Sequence, residues 1–214
     1  MTLKEQLKHM KNASIERMPH AIMKVFTDSI YDLKKNNLKE NALKVGNCIP
    51  DINLKNIDGS TVLLSDLIEK DYLVLNFYRG GWCPYCNIEL REYERLLKNF
   101  DELNTSIVGI SSETIELANN TTKKNTLSFP VLTDVNAKLM KEIGIVFKVN
   151  EASKKEFENF GMDLSTINGN SNFELPVPAV YVINLKMEVM YVHFEEDYMT
   201  RLEPTELLTI LKTL

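Results

Sequence analysis

Apolar side chains recur every three or four positions between residues 3 and 34. The first stripe consists of Leu3, Leu7 and Met10, and the second, after Pro19, of Ile22, Phe26, Ile30 and Leu33. This spacing predicts two amphipathic helices, each with one apolar face. We assign residues 1–44 to an N-terminal helical extension, whose apolar faces fit either a lid on the main domain or a dimerisation element.

From residue 45 the pattern changes to short apolar runs separated by polar helical stretches. A hairpin is predicted around the turn Asp58-Gly59. Residues 72–78 are apolar on both faces, as expected of a strand covered by helices on two sides. Further strands are predicted at 106–111, 129–132, 179–183 and 187–192.

Helices are predicted between most of these strands, and a last one at 204–214. Residues 151–175 are rich in polar residues, and we interpret them as a short helix followed by a long loop. Strands alternating with helices indicate one α/β domain with a central mixed β-sheet flanked by helices, over residues 45–214.

Composition and charge remove several classes of function. The 214 residues are 44% hydrophobic, enough for a sizeable core. The 25 basic and 30 acidic side chains give a net charge of −5 and form no basic stripe, so we expect no nucleic-acid partner. The charged N-terminus and strand-sized apolar runs predict no signal peptide and no membrane association. The expected location is therefore cytoplasmic.

Two of the three cysteines, Cys83 and Cys86, follow the apolar strand 72–78 and open a helix. In a reducing compartment such a pair is more typical of a redox or metal site than of a structural disulfide. Cys83 lies at the first helical turn, where unpaired N–H groups and the helix dipole stabilise a thiolate. Cys86 lies one turn further in, close enough for a disulfide. The spacing predicts a nucleophile with its own resolving thiol.

Neighbouring residues admit two interpretations each. Arg79 either adds positive charge to the cysteine pair or is a surface arginine at the end of a strand. Trp82 and Tyr85 flank the cysteines, and either shape a docking surface for a partner or pack over the turn. Pro178 precedes an apolar strand, and the bond between Val177 and Pro178 is either cis or trans. Only about 5–6% of X–Pro bonds in folded proteins are cis, so the sequence by itself favours trans.

A structural zinc site is the alternative from another class of function, as is an interaction module with a vestigial pair. Zinc requires four ligands, and Cys48 with the three histidines forms no second close pair. We therefore expect no metal and no cofactor. Cys48 itself is interpreted as a small buried hydrophobe.

The segment 77–91, Phe-Tyr-Arg-Gly-Gly-Trp-Cys-Pro-Tyr-Cys-Asn-Ile-Glu-Leu-Arg, resembles the peroxiredoxin-like branch of the alkyl hydroperoxide reductase and thiol-specific antioxidant (AhpC/TSA) family, in the thioredoxin superfamily. The resemblance runs from Val45 to the C-terminus and includes residues 46–51, 108–111 and 127–134. It implies a thioredoxin-like fold. Pro178 falls where thioredoxins keep a cis-proline, and Cys-Pro-Tyr-Cys is the tetrad of glutaredoxins.

The resemblance implies a thiol-dependent peroxidase whose Cys83–Cys86 disulfide is reduced again by thioredoxin or by glutaredoxin and glutathione. The alternative within the enzyme class is a thiol–disulfide oxidoreductase acting on protein or glutathione disulfides. A homodimer is expected if the N-terminal helices act as a dimerisation element and not as a lid, and the sequence leaves this choice open.

The chain departs from the peroxiredoxin pattern Pro-x-x-x-Thr-x-x-Cys. That pattern places Arg79 at the proline, Cys83 at the threonine and Cys86 at the peroxidatic cysteine. Peroxiredoxins also have an arginine before a later strand, and Pro178 occupies that position in this chain. Glu89, three beyond Cys86, fits the same register. The register favours Cys86 as the attacking sulfur, whereas the physics of a helix terminus favours Cys83, which we predict to be the nucleophile.

Overall fold

A seven-stranded mixed sheet occupies the centre of the computed structural model, which describes all residues from Met1 to Leu214. The nine strands of the chain are β1 (Asn53–Asn56), β2 (Thr61–Leu63), β3 (Tyr72–Phe77), β4 (Thr105–Ser111), β5 (Val131–Thr133), β6 (Val146–Lys148), β7 (Glu174–Pro176), β8 (Ala179–Asn184) and β9 (Val189–Phe194). Of these, β6 and β7 form a separate two-stranded sheet. The helices are α1 (Leu3–Arg17), α2 (His20–Lys35), α3 (Leu38–Asn41), α4 (Pro84–Asp101), α5 (Ile115–Asn125), α6 (Lys138–Glu142), α7 (Glu151–Asn159), α8 (Leu164–Asn168) and α9 (Pro204–Leu211). None of these helices combines the length and the apolar character needed to cross a membrane.

The sheet has the strand order β2-β1-β5-β4-β3-β8-β9. β3 pairs with β4 in parallel and with β8 antiparallel, so both parallel and antiparallel ladders meet at this strand. Its side chains alternate between two cores: Val74 belongs to one, and Leu73 and Leu75 to the other. The predicted mixed sheet flanked by helices is confirmed, as is the hairpin of β1 and β2.

The N-terminal helices pack on the α/β domain. α1 begins with a capping box in which Thr2 and Glu5 satisfy each other's backbone N–H groups. Leu3 and Leu7 are buried in the core that also contains residues of α4. The Leu3 N–H donates to the Glu203 carboxylate at 3.0 Å, which ties the start of α1 to the region before α9. The division of the chain at residues 44 and 45 stays a prediction.

The long loop predicted within residues 151–175 is wrong. This segment forms α7, α8 and β7, and β7 pairs antiparallel with β6 in a second, two-stranded sheet. Phe157, Leu164 and Leu175 are buried against Phe26 of α2 and Val149. These apolar residues are too sparse to give a period by themselves. Their burial depends on α2, which lies far away in the sequence.

Cys48 is exposed, so its interpretation as a buried hydrophobe is also wrong. Its backbone forms an isolated bridge with Glu188, while the next residue, Ile49, is 3% exposed and enters the core. Neighbouring extended residues point to opposite sides, and at this edge of the fold only the side of Ile49 is covered.

Candidate active site

A glycine turn at the end of β3 places the cysteine pair. Gly80 has a φ of +143°, a conformation that residues with a side chain rarely adopt. A Cβ atom at Gly80 would lie 2.4 Å from Nε1 of Trp82. After this turn Cys83 is the N-cap of α4 and Pro84 its first residue, where a missing N–H costs no helical hydrogen bond.

Buried polar side chains hold the turn from behind. The Gly81 N–H donates to Oε1 of Glu113 at 2.9 Å. Nδ2 of Asn87 donates to the carbonyl oxygens of Gly81 and Cys83 at 2.7 and 3.1 Å. Asn125 in turn donates to Oδ1 of Asn87 at 2.8 Å. The backbone that carries the cysteines is therefore fixed by α4, by α5 and by the segment after β4.

The two sulfurs are both buried but have opposite acidities. Cys83 is 1% and Cys86 0% exposed, and both are free thiols. Burial by itself raises the pKa of Cys83, but the hydrogen bond from Cys86 and the charges of Arg79 and Arg201 outweigh burial and lower this pKa to about 6. Burial, together with the bond to Cys83, raises the pKa of Cys86 well above its usual value. Cys83 is thus the thiolate at neutral pH and Cys86 the thiol.

Arg201 is a site residue that the sequence did not reveal. It is 6% exposed, and Nη2 donates to Sγ of Cys86 at 3.4 Å while Nε donates to Oε2 of Glu89 at 2.7 Å. It also donates to the carbonyl oxygens of Tyr198 and Thr200. The one sequence signal is Glu89, which lies one turn after Cys86 on the buried side of α4. A buried carboxylate is normally paired with a cation, so Glu89 indicates that a positively charged side chain lies nearby. Its partner lies 112 residues away, which no local pattern indicates.

Burial raises the pKa of Glu89 to about 7, more than the nearby Arg201 charge lowers it. Its second oxygen, Oε1, is buried without a hydrogen-bond partner. Glu89 and Arg201 therefore form a buried pair beside Cys86 in which the carboxyl group changes its charge near neutral pH.

Cys83 opens onto a cavity of about 300 Å³. One wall comes from the N-terminal helices and the connection between them, another from α7 and the segment after it, and the rest from the cysteine turn and the loop after β9. The N-terminal wall consists of Ser14, Met18, Met23 and Phe26. Trp82 and Tyr85 also line the cavity, whereas Cys86 does not.

Arg79 is 5% exposed, so the alternative of a surface arginine is wrong. Its guanidinium carbon lies 4.2 Å from the ring centroid of Tyr198, 4.8 Å from Trp82 and 5.8 Å from Phe157. Three aromatic faces therefore surround this cation. The Trp82 ring also packs edge-on against Phe157 at 5.4 Å, so Trp82 both packs over the turn and faces the cavity.

Pro178 does not repeat the cis-proline of thioredoxins. All peptide bonds are trans, including Val177–Pro178. The chain runs extended into β8, whose first residue, Ala179, pairs with Phe77 of β3. Pro178 lines a second, smaller cavity of about 20 Å³ together with Arg79, and not the cavity of Cys83.

The ligands of a zinc site do not converge. The structure contains no cluster of three or more His, Cys, Asp or Glu side chains able to hold a metal ion. Cys48 pairs with Glu188 at the hairpin that follows β8, whereas the cysteine pair follows the opposite end of β3.

Comparison with known proteins gives a match to the model of the AhpC/TSA family over residues 45–192. Peroxiredoxin Bcp of Bacillus subtilis is 33% identical over 124 residues, which are 58% of this chain and 76% of that protein. The thiol-disulfide oxidoreductase ResA of Bacillus thuringiensis is 27% identical over 50% of this chain and 62% of its own length.

Among solved structures, peroxidoxin BcpB from Mycobacterium tuberculosis superposes with a TM-score of 0.65 at 21% identity. The alignment covers 80% of this chain and 98% of BcpB. This likeness shows the thioredoxin-like fold of peroxiredoxins.

Proposed function

The chain belongs to the AhpC/TSA family of thiol-dependent peroxidases, and from this premise we propose that Cys83 attacks the peroxide and Cys86 resolves the product. The observation that carries the proposal is the position of Cys83 at the N-cap of α4 and on the wall of the cavity, with Cys86 behind it and away from the cavity. A substrate can reach only the first of these sulfurs through that cavity.

In the first step the Cys83 thiolate attacks one oxygen of the peroxide. A sulfur–oxygen bond forms and the O–O bond breaks, so the sulfur is oxidised to a sulfenic acid and the peroxide leaves as an alcohol or water after taking up a proton. The thiolate is available because the pKa of Cys83 lies at about 6.

In the second step Cys86 attacks the sulfur of the sulfenic acid. Its thiol proton and the hydroxyl group leave together as water, and the disulfide forms. Arg201 donates to Cys86 at 3.4 Å and so stabilises negative charge on this sulfur as its proton leaves. An external dithiol then returns two electrons and restores both thiols.

Single cysteine variants test this order. Cys83→Ser should consume hydrogen peroxide and alkyl hydroperoxides no faster than the double variant Cys83→Ser, Cys86→Ser. Cys86→Ser should react once and accumulate a sulfenic acid at Cys83, seen by mass spectrometry after trapping. A sulfenic acid at Cys86 in the Cys83→Ser variant would reverse the assignment.

The reverse order has support of its own. The peroxiredoxin pattern places Cys86 at the attacking position, and Arg201 contacts this sulfur and not Cys83. In that case Cys83 would be the resolving thiol, and Cys83→Ser would keep one turnover with peroxide.

A second candidate function is thiol–disulfide exchange. It is favoured by the relationship to ResA and by the Cys-Pro-Tyr-Cys tetrad with an acidic first cysteine. Turnover of a glutathione mixed disulfide without peroxidase activity would select this function.

The partners follow from this chemistry. We propose a peroxide or disulfide substrate, and a thioredoxin-type dithiol, or glutaredoxin with glutathione, as the reductant. A cytoplasmic location and a homodimer remain predictions. Sedimentation of the purified chain measures the oligomeric state.

A further inference from the structure

Two arginines are buried beside the cysteine pair, and they differ in how their charge is balanced. Arg201 forms an ion pair with Glu89 at 2.7 Å. Arg79 is just as buried but has no carboxylate within 4 Å, and its Nε has no hydrogen-bond partner. The Cys83 thiolate balances part of the Arg79 charge, but no hydrogen bond joins the two side chains. A buried guanidinium without hydrogen-bond partners is costly, and a native site that keeps one requires a reason.

Stacking on aromatic rings accounts for part of this arrangement. The faces of Tyr198, Trp82 and Phe157 attract the Arg79 cation, but a ring face accepts none of the five guanidinium hydrogens in the way that an oxygen does. Glu196 lines the small cavity on the other side of Arg79, but at more than 4 Å it forms no ion pair with it. The hydrogen-bonding capacity of Arg79 is therefore left for a ligand.

The lining of the cavity beside Arg79 indicates the chemical character of the rest of that ligand. Eleven of its 14 lining residues are hydrophobic, and Arg79 is its only cationic residue. Four methionines, Met18, Met23, Met162 and Met199, form part of the wall. Methionine side chains are flexible and adapt to apolar bodies of irregular shape. A volume of about 300 Å³ is at the lower end of the range for small-molecule sites.

We propose that this cavity binds an amphipathic carboxylate, with the carboxylate on the Arg79 guanidinium and the apolar chain against the methionines and aromatic rings. The planar fork of arginine fits a carboxylate through two parallel hydrogen bonds. The proposal rests on the proposed function in one respect: a hydroperoxide that carries such a carboxylate is then the preferred substrate of Cys83, which lines the same cavity.

Binding is tested without any peroxide chemistry. Trp82 is the only tryptophan of the chain and lines the cavity, so its fluorescence reports occupancy directly. Decanoate is the probe, and decanol and methyl decanoate are the uncharged controls. We expect decanoate to bind roughly 10- to 100-fold more tightly than either control, the range expected for hydrogen bonds to a charged group.

Arg79→Gln should remove this preference while binding of decanol changes little, and Arg79→Lys should retain part of it because the charge remains without the fork. Lys155→Gln is the matched control, since it removes an exposed cation from α7 outside the cavity and should change nothing. Equal affinity of wild type for decanoate and decanol would overturn the proposal, and this comparison requires no variant. A loss of decanoate and decanol binding to the same extent in Arg79→Gln would also overturn it, because Arg79 would then only support the packing.

A kinetic comparison separates this proposal from the proposed function. With the hydroperoxide of an unsaturated fatty acid and with its methyl ester, kcat/KM of the wild type should favour the acid, and Arg79→Gln should abolish the ratio. If the enzyme reduces neutral cumene hydroperoxide but shows no such ratio, the peroxidase assignment stands and carboxylate recognition is wrong. If it reduces none of these peroxides while decanoate still binds through Arg79, the binding site stands and the proposed function is wrong.

Discussion

Single residues around the two sulfurs give the two thiols different acidities. Cys83 receives a hydrogen bond from Cys86 and the field of two arginines, whereas burial, together with donation of that bond and the nearby charge of Cys83, raises the pKa of Cys86. The sulfur with the lower pKa also faces the cavity. The acidity and the accessibility of the thiols thus favour the same sulfur as nucleophile.

Alkylation measures the acidity of Cys83. We expect its reaction with iodoacetamide to follow a pH profile with a midpoint at about 6, well below an ordinary thiol at about 8.5. Cys86→Ala removes the donor and should move the midpoint to higher pH, while Cys86→Ser keeps a hydroxyl donor and should move it less. Mass spectrometry resolves the site of alkylation. A wild-type midpoint at the value of an ordinary thiol would contradict this account of the site.

Glu89 gives the stability of the protein a particular pH dependence. Burial raises its pKa in the folded protein to about 7, from an ordinary value of 4.5. The folded state therefore holds this proton more tightly than the unfolded chain, and the contribution of Glu89 to the free energy of unfolding grows as pH falls from about 7 towards 4.5.

Glu89→Gln keeps the shape of the side chain and removes its titration, so this part of the pH dependence should disappear. At alkaline pH the variant should be more stable than wild type, by roughly 3 kcal/mol, because the raised pKa of Glu89 means that the folded protein accommodates the neutral side chain better than the carboxylate, even with Arg201 beside it. Urea unfolding of both proteins at acidic and alkaline pH gives the comparison. Parallel pH profiles for the two proteins would argue against titration of Glu89.

At the scale of elements, the turn between β3 and α4 depends on close approach to α5. A Cβ atom on Gly81 would lie 1.9 Å from Oγ1 of Thr121, which itself donates to Glu113 at 3.3 Å. The turn and α5 therefore have no room between them, and the position of Cys83 follows from this contact.

Gly81→Ala should destabilise the protein by about 1–3 kcal/mol, the usual cost of overpacking, and should lower the rate of Cys83 alkylation as the turn shifts. Gly109→Ala is the matched control, because its nearest neighbours would lie at 3.5 Å, an ordinary contact distance. Chemical denaturation measures both variants. The explanation fails if the two alanine variants are equally stable.

At the scale of the whole molecule, the N-terminal helices complete both the core and the cavity. Leu3 is 0% exposed beneath α4, and Phe26 of α2 packs against Phe157 of α7 with ring centroids 5.4 Å apart. The active cavity therefore exists only where the helical extension, the cysteine turn and the segment after β6 meet.

Leu3→Ala should lower the free energy of unfolding by roughly 2–5 kcal/mol in a single transition, as for other buried leucines. Ile15→Ala is the control on the same helix, since Ile15 is 53% exposed and its loss should cost within about 0.5 kcal/mol. Circular dichroism and Trp82 fluorescence follow the helices and the site separately. A separate early transition of the helices would show that they fold independently of the sheet.

The sequence alone determined the features that depend on neighbours along the chain. Helical and strand periods located nearly all elements, and the glycine break with Cys83 and Pro84 located the N-terminus of α4, because backbone geometry and capping are local. The long-range features escaped it: Arg201 beside Cys86, the burial of Arg79, and the small sheet of β6 and β7. Only the tertiary structure decided these features, because desolvation and electrostatic fields arise from side chains brought together from distant parts of the chain.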